Sequence, residues 1–143
     1  MHPLRKLREA GVPTYEQVAA ILNEHVVMHS PVLLKALEGR EIVARALMNS
    51  TESRDNPGEY TFEGKVGART TVLHWRGEVE GHEIESLELI TDDEDGLMLE
   101  RTVAYRPFPA VRIFRDRLYE ESRGLLPDDW WDYPSAGGSP LNP

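Results

Sequence analysis

The chain of 143 residues contains no cysteine. This absence excludes disulfide bridges, thiolate nucleophiles, iron–sulfur clusters and cysteine-rich zinc sites together. It suits a reducing compartment, and the opening residues Met1 to Lys6 carry charge without the apolar run of a secretory signal. We therefore expect a cytoplasmic protein.

Long uncharged apolar stretches are also missing. A membrane-spanning helix needs roughly 18 consecutive apolar residues, and no stretch of this sequence approaches that length. With a hydrophobic fraction of 40%, the chain is nevertheless apolar enough to build one core of ordinary size. These features predict a soluble single domain with no membrane contact.

Positive charge is scarce relative to negative charge. Lys and Arg number 16 against 25 Asp and Glu, which gives a formal net charge of −9. Because nucleic-acid-binding proteins gain affinity by replacing phosphate counterions, this balance predicts no nucleic-acid partner. The acidic residues are clustered in one segment, since residues 78–100 contain ten acidic side chains and no Lys or Arg. We expect this segment to disfavour anionic partners.

Helical patterns come first along the chain, and strand patterns follow. Thr14 and Gln17 have the spacing of a helix capping box, a shorter helical turn around Leu4 precedes them, and a third helix is predicted over residues 38–49. Strands are predicted over residues 25–32, 60–62, 69–79, 83–91 and 97–105. This order predicts an α+β fold with helices on one face of a curved antiparallel sheet.

The C-terminal composition differs from that of the rest of the chain. Residues 1–123 are predicted to form the domain, and residues 124–143 a tail that is first acidic and aromatic and then rich in Gly, Pro and Ser. The last nine residues are predicted to be disordered. Trp130 and Trp131 are expected to dock on something, because exposed tryptophans are unusual.

Several strings along the chain resemble the nuclear transport factor 2-like superfamily. These are HVVMHSPV at 25–32, EGREIV at 38–43, VEGHEIESLELI at 79–90, the acidic turn at Gly96, and the sequence Tyr105-Arg106-Pro107. Within the superfamily the chain looks closest to SnoaL-like bacterial proteins of uncharacterised function. The resemblance implies a cone in which the bent sheet and three helices enclose a pocket, commonly as a dimer through the convex sheet face.

The same resemblance places the pocket around Glu88. This residue lies eight positions before Gly96, as does the pocket aspartate of ketosteroid isomerases, and alternation along strands then assigns the other inward positions. The residues predicted to face the pocket are Met28, Ser30, Leu73, Trp75, Ile84, Ser86, Glu88, Ile90, Arg101, Val103 and Tyr105. Such a mostly apolar lining is typical of a site for a small hydrophobic molecule.

The catalytic groups of characterised members do not match this sequence. The isomerase base is an aspartate before a Pro-Val pair, where this chain has Ser30, and a serine needs a neighbouring base to move a proton. The epoxide hydrolase acids are missing from residues 73–77 and 101–105. Dehydration of the scytalone type needs pocket histidines, whereas His29 and His74 fall on the outward face.

Glu88 and Arg101 remain as candidate catalytic residues. If the turn between their strands is tight, they lie nearly opposite each other and form a charge-assisted hydrogen bond. In a functional interpretation, Glu88 is an acid/base or polar anchor whose pKa is set by Arg101. In the alternative, the two form a buried ion pair that maintains sheet register and does no chemistry.

Neither a metal nor a cofactor is predicted. His25 and His29 are four residues apart, but on a strand that spacing separates them by about 13 Å. The glycines do not occur in the strand-to-helix context that a phosphate-binding loop requires.

Leu87 and Leu89 fall on the outward face of the strand that carries Glu88. A sheet with one face in water should not carry apolar side chains on both sides of a central strand. We therefore predict a homodimer through the convex face, with coverage by the C-terminal tail as the alternative.

Three functions remain open on the sequence alone. The first is a cofactor-free isomerase, cyclase or hydratase that uses Glu88 as acid/base and Arg101, Tyr105 and Ser30 to position a small hydrophobic substrate. The second is ligand binding in the same pocket without turnover. The third is a dimeric interaction domain with a filled cone.

Overall fold

The computed structural model describes residues 1–131 as a curved six-stranded sheet with helices packed against it. The helices are α1 (Pro3–Glu9), α2 (Tyr15–Ala19), α3 (Arg40–Glu52) and α4 (Phe108–Glu121), followed by a 3-10 turn at Asp128–Trp131. The strands are β1 (Leu22–His29), β2 (Leu37–Glu38), β3 (Glu59–Lys65), β4 (Thr70–Val79), β5 (His82–Asp92) and β6 (Met98–Arg106). Their order across the sheet is β2-β1-β6-β5-β4-β3. The predicted α+β cone is confirmed.

The sheet is mixed and not wholly antiparallel. Strands β3 to β6 form the predicted antiparallel meander, but β1 runs parallel to β6. Consecutive strands joined by tight turns must be antiparallel, whereas β1 reaches β6 only after the chain has passed through α3 and four other strands. Its direction therefore depended on the whole fold and could not be inferred from local turns.

Two local predictions need correction. The helical spacing of Val18, Ile21 and Leu22 predicts that the helix after Thr14 continues to residue 22, but α2 ends at Ala19, and Leu22 begins β1 opposite Met98. Helix α4 was not predicted, although Ala110, Phe114 and Leu118 recur every four residues and are buried. Helix α4 contacts α3 and strands β4, β5 and β6, so it fills space inside the cone.

Helix α1 is held in place by its first residues. The His2 Nδ1 atom accepts a hydrogen bond from the Leu4 amide at 3.1 Å, and His2 Nε2 lies 3.0 Å from the Asp92 carboxylate at the end of β5. The His2 amide also donates to Glu63 on β3 at 2.9 Å. Because Arg8 follows Leu4 by four residues, it shares the buried face of this anchored helix.

The segment after α4 returns to the helical side of the sheet. Trp131 is buried and meets Tyr119 of α4 edge to face, with ring centroids 5.5 Å apart. The Leu34 amide donates to the Trp130 carbonyl at 2.8 Å. The predicted docking of these tryptophans therefore occurs within the chain itself. The predicted disordered residues 135–143 lie outside the described residues.

Over the described part of the chain, no helix has the length and apolar character needed to span a bilayer.

Candidate functional site

The interior of the cone contains a chamber of about 30 Å³. Five predicted lining residues do line it, namely Met28, Ser30, Arg101, Val103 and Tyr105. The other six, which do not line it, are buried in the surrounding core: Leu73, Trp75, Ile84, Ser86, Glu88 and Ile90. The chamber has room for a water molecule or two and is far below the roughly 300–1,000 Å³ usual for small organic ligands.

The chamber is small because later parts of the chain occupy the cone. Phe114 of α4 packs edge to face on Tyr105, with ring centroids 5.0 Å apart, and Trp131 closes another side of the wall. Helix α4 was not among the predicted elements, and the sequence left open whether the cone is open or filled.

Glu88 and Arg101 form a buried ion pair in which Arg101 Nη2 donates to Glu88 Oε1. Their side chains are only 1% and 5% exposed. In the register of β5 and β6, Glu88 lies opposite Val103 and Arg101 lies opposite Ile90. The two partners are therefore diagonal neighbours and not direct opposites, at a spacing that long side chains still bridge.

Two further arginines, neither predicted as a site residue, join this pair. Arg8 Nη1 lies 3.6 Å from Glu88 Oε1 and donates to the Tyr60 hydroxyl at 3.3 Å. Arg54 Nη2 donates to the Tyr105 hydroxyl at 3.1 Å and to Ser50 at 3.2 Å. We call Arg8, Arg54 and Arg101, together with Glu88, the arginine cluster.

A sequence signal for both residues existed. Arg8 follows the apolar residue Leu4 by four positions, and Arg54, two residues beyond the end of α3, follows the buried Leu47 by seven, which is two helical turns. A charged residue at an apolar position of a helical pattern marks a buried charge, which natural proteins seldom contain without a partner.

The indole ring of Trp75 packs against the guanidinium group of Arg54. The Arg54 guanidinium carbon lies 4.2 Å from the centroid of the Trp75 ring, a cation–π geometry. The indole nitrogen of Trp75 donates to the Pro57 carbonyl at 2.9 Å, which fixes the ring. The guanidinium group is therefore held by an aromatic face and by two hydroxyl groups.

The cluster keeps Glu88 ionised. Burial alone would raise the pKa of Glu88, but Arg101, Arg8 and Arg54 outweigh it and hold that pKa below its ordinary value. Burial lowers the pKa of Arg54, and the charge of Arg8 adds to the effect. A carboxylate of low pKa is a weak base and has no proton to donate at neutral pH, so the geometry favours an anchoring role for Glu88.

A second cavity opens where α1 and the end of α3 meet. This cleft measures about 200 Å³ and is lined by Arg8, Gly11, Val12, Thr51, Arg54, Asp55, Asn56 and Pro57. Glu88 lines neither the cleft nor the chamber. Arg8 Nη2 and Arg54 Nε are buried and have no hydrogen-bond partner among residues 1–131.

Metal-binding side chains do not converge in the part of the chain that the structure describes. Among residues 1–131, no group of three His, Asp or Glu side chains has the arrangement that could hold a metal ion.

No protein-family model and no curated protein sequence matches this chain. Solved structures do match it. An uncharacterised bacterial protein from Silicibacter pomeroyi with a cystatin-like fold superimposes with a TM-score of 0.77 at 24% identity, covering 87% of this chain and 88% of that one. A steroid delta-isomerase from Pseudomonas aeruginosa gives 0.77 at 18% identity, covering 86% and 88%. This chain has the nuclear transport factor 2-like fold.

Proteins of the nuclear transport factor 2-like fold differ widely in what they do, so the likeness settles architecture alone. A protein described as a SnoaL-like polyketide cyclase, from Shewanella denitrificans, superimposes with a TM-score of 0.54 at 14% identity, covering 83% of this chain and 93% of that one. The function must therefore be argued from the cleft and from the arginine cluster.

Proposed function

We propose that this chain is a small-molecule-binding protein that does not turn its ligand over, with its site in the cleft at Arg8 and Arg54. One observation carries the proposal. Both arginines line the cleft, and each has a buried N–H donor without a partner among the described residues. Buried donors are almost always paired in proteins, so a ligand that supplies the acceptors accounts for these two.

Glu88 and Arg101 are positioning residues in this proposal. Glu88 lies behind Arg8 and binds Arg101, and it lines neither cavity. Its carboxylate lies 3.6 Å from Arg8 Nη1 and so helps to fix the direction of the Arg8 guanidinium, and Arg8 lines the cleft. This arrangement supports a rigid binding site more than proton transfer, because the carboxylate does not face space in which a substrate fits.

A second candidate is the cofactor-free isomerase, cyclase or hydratase that uses Glu88 as a base. Glu88 Oε2 favours it, because this atom has no hydrogen-bond partner among residues 1–131. The fold is also that of a steroid delta-isomerase. A hydrophobic substrate would need space beyond the 30 Å³ chamber, and Trp131 would have to leave the chamber wall.

Binding and turnover can be measured on the same sample. Thermal shifts with small anionic, neutral, cationic and apolar compounds report binding, and the ultraviolet absorbance of a β,γ-unsaturated ketosteroid reports isomerisation to the conjugated ketone. We expect stabilisation by at least one small polar compound and no change in the ketosteroid absorbance. Turnover that Glu88→Gln abolishes would instead establish the enzyme candidate.

A further inference from the structure

We infer that the cleft ligand carries an oxyanion, a carboxylate or phosphate group on a small organic molecule, which Arg8 and Arg54 bind. This inference rests on the proposed binding function and adds the chemical class of the ligand. It runs against the expectation that the acidic segment 78–100 disfavours anionic partners.

The arginine cluster is electrostatically incomplete. Arg8 and Arg101 both pair with Glu88, and Arg54 forms no ion pair with any residue in 1–131. Three buried guanidinium groups therefore share one carboxylate, which leaves an excess of two positive charges. An unbalanced buried charge is costly in a folded protein, and an anionic ligand would balance it.

The donors that are left over match an oxyanion. Arg8 already uses Nη1 for Tyr60, and Arg54 uses Nη2 for Tyr105 and Ser50. Arg8 Nη2 and Arg54 Nε have no partner among the described residues, and both residues line the cleft. Guanidinium N–H groups recognise carboxylate and phosphate oxygens better than they recognise neutral acceptors.

One acidic residue also lines the cleft, and its charge is already compensated. The Asp55 carboxylate accepts hydrogen bonds from the Glu80 amide at 2.9 Å, the Gly81 amide at 2.8 Å and Arg117 Nη1 at 2.9 Å. Asp55 therefore does not neutralise the cluster. The wall near it contains Val12 and Pro57, which offer apolar contact to the organic part of a ligand.

The test compares benzoate, phenyl phosphate, inorganic phosphate and the neutral analogue benzamide by titration calorimetry and by intrinsic tryptophan fluorescence. We expect benzoate or phenyl phosphate to bind roughly tenfold or more tightly than benzamide. Preference for benzoate assigns a carboxylate ligand and preference for phenyl phosphate assigns a phosphate ligand, and either supports the inference. Equal affinity for inorganic and phenyl phosphate would overturn the organic part of the assignment.

Variants identify the residues. Arg54→Met and Arg8→Met should each weaken binding of the preferred anion by roughly tenfold or more, while Arg45→Met, at an exposed arginine of α3, should leave it unchanged. Arg54→Lys keeps the charge but loses the planar fork, so it should bind with intermediate affinity. Circular dichroism confirms that each variant is folded.

The apo proteins provide a readout that needs no ligand. Because Arg54 has no ion-pair partner among residues 1–131, Arg54→Met removes an unbalanced buried cation, and we expect its apo melting temperature to equal or exceed that of the wild type. A large decrease in the melting temperature of Arg54→Met would show that Arg54 is structural and would overturn the inference. Equal binding of benzoate and benzamide would also overturn it but leave the proposed binding function intact, whereas binding of no compound would remove both.

Discussion

At the scale of single residues, Glu88 provides the one carboxylate that pairs with Arg8 and Arg101 within residues 1–131. Glu88→Gln should therefore lower the free energy of unfolding by about 3–5 kcal/mol, because loss of one partner leaves buried cations uncompensated. Urea denaturation followed by circular dichroism measures the change.

Glu100→Gln is the matched control for this prediction. Glu100 is exposed and lies 3.4 Å from His29, so its loss should cost less than about 1 kcal/mol. Adding Arg101→Met to Glu88→Gln should recover part of the stability, since it removes one of the buried cations that has lost its partner. A Glu88→Gln protein as stable as the wild type would contradict the buried ion pairs between Glu88 and the two arginines.

Gly77 leaves the space that the ring of Trp75 occupies beside the site. A Cβ atom added there would overlap the ring of Trp75, which supports Arg54. We expect Gly77→Ala to lower stability by about 1–3 kcal/mol, since overpacking forces the ring to move. Near-ultraviolet circular dichroism reports the tryptophan environment.

Gly67→Ala tests the same change where space is available. A Cβ atom at Gly67 would meet only Thr70, at an ordinary 3.9 Å. Both its stability and its near-ultraviolet spectrum should stay close to those of the wild type. If the two alanine variants behaved alike, the close packing of Trp75 on Gly77 would be refuted.

At the scale of secondary-structure elements, Asp55 connects three of them. It follows α3, it accepts hydrogen bonds from the two turn residues of the β4–β5 hairpin, and it pairs with Arg117 of α4. Glu80 and Gly81 have φ values of 48° and 77°, so this turn uses the left-handed region twice. The carboxylate therefore stabilises this turn and joins it to two helices.

The Asp55 contacts predict a pH dependence. The Gly81 and Glu80 amides, with Arg117, hold the pKa of Asp55 below its ordinary value. A depressed folded pKa means that the stabilisation is complete above the unfolded pKa, about 4, and is lost as the pH falls through the folded value. The stability difference between wild type and Asp55→Asn should therefore be constant near neutral pH and shrink below about pH 4.

Urea denaturation across this pH range measures the Asp55 effect. Asp95→Asn, at an exposed position of the β5–β6 turn, is the control and should leave the pH profile of stability unchanged. A stability difference for Asp55→Asn that persisted undiminished well below pH 3 would show that the stabilisation does not depend on an ionised Asp55 carboxylate.

At the scale of the whole molecule, the outer face of the sheet carries an apolar patch. Leu87 and Leu89 are 56% and 47% exposed, and Phe62 joins them through His74, which pairs with both Phe62 and Leu87. The C-terminal segment up to Trp131 packs on the other side, so it does not cover this patch. A second copy of the chain remains the occupant that we propose.

Light scattering tests the proposed dimer. We expect a mass twice the 16.3 kDa of the chain, because burying this patch removes apolar surface from water. The double variant Leu87→Lys, Leu89→Lys should give the monomer mass, while Phe108→Lys, at an exposed apolar residue of α4, should not. A wild-type chain that remains at 16.3 kDa at micromolar concentration would refute the dimer.

Structural features that depend only on residues close together in the chain were predictable from the sequence. Alternation along β4, β5 and β6 placed Trp75, Glu88 and Arg101 on the buried face, because side chains on a strand change sides at every residue. The capping box at Thr14 and Gln17 also forms, because its two hydrogen bonds join residues three apart. Helix α4 had an equally local signal in Ala110, Phe114 and Leu118 and was overlooked.

The site itself depended on contacts between distant residues. Arg8 and Glu88 are 80 positions apart, and the packing of α1 against the sheet, which the contacts of His2 with Asp92 and Glu63 help to fix, places them 3.6 Å apart. The size of the chamber likewise depended on where α4 and Trp131 pack. Sequence periodicity determines which face of an element is buried, because that is a local property of the backbone. Tertiary structure alone decided that three buried arginines share one carboxylate, because burial and charge balance depend on every element that packs around them.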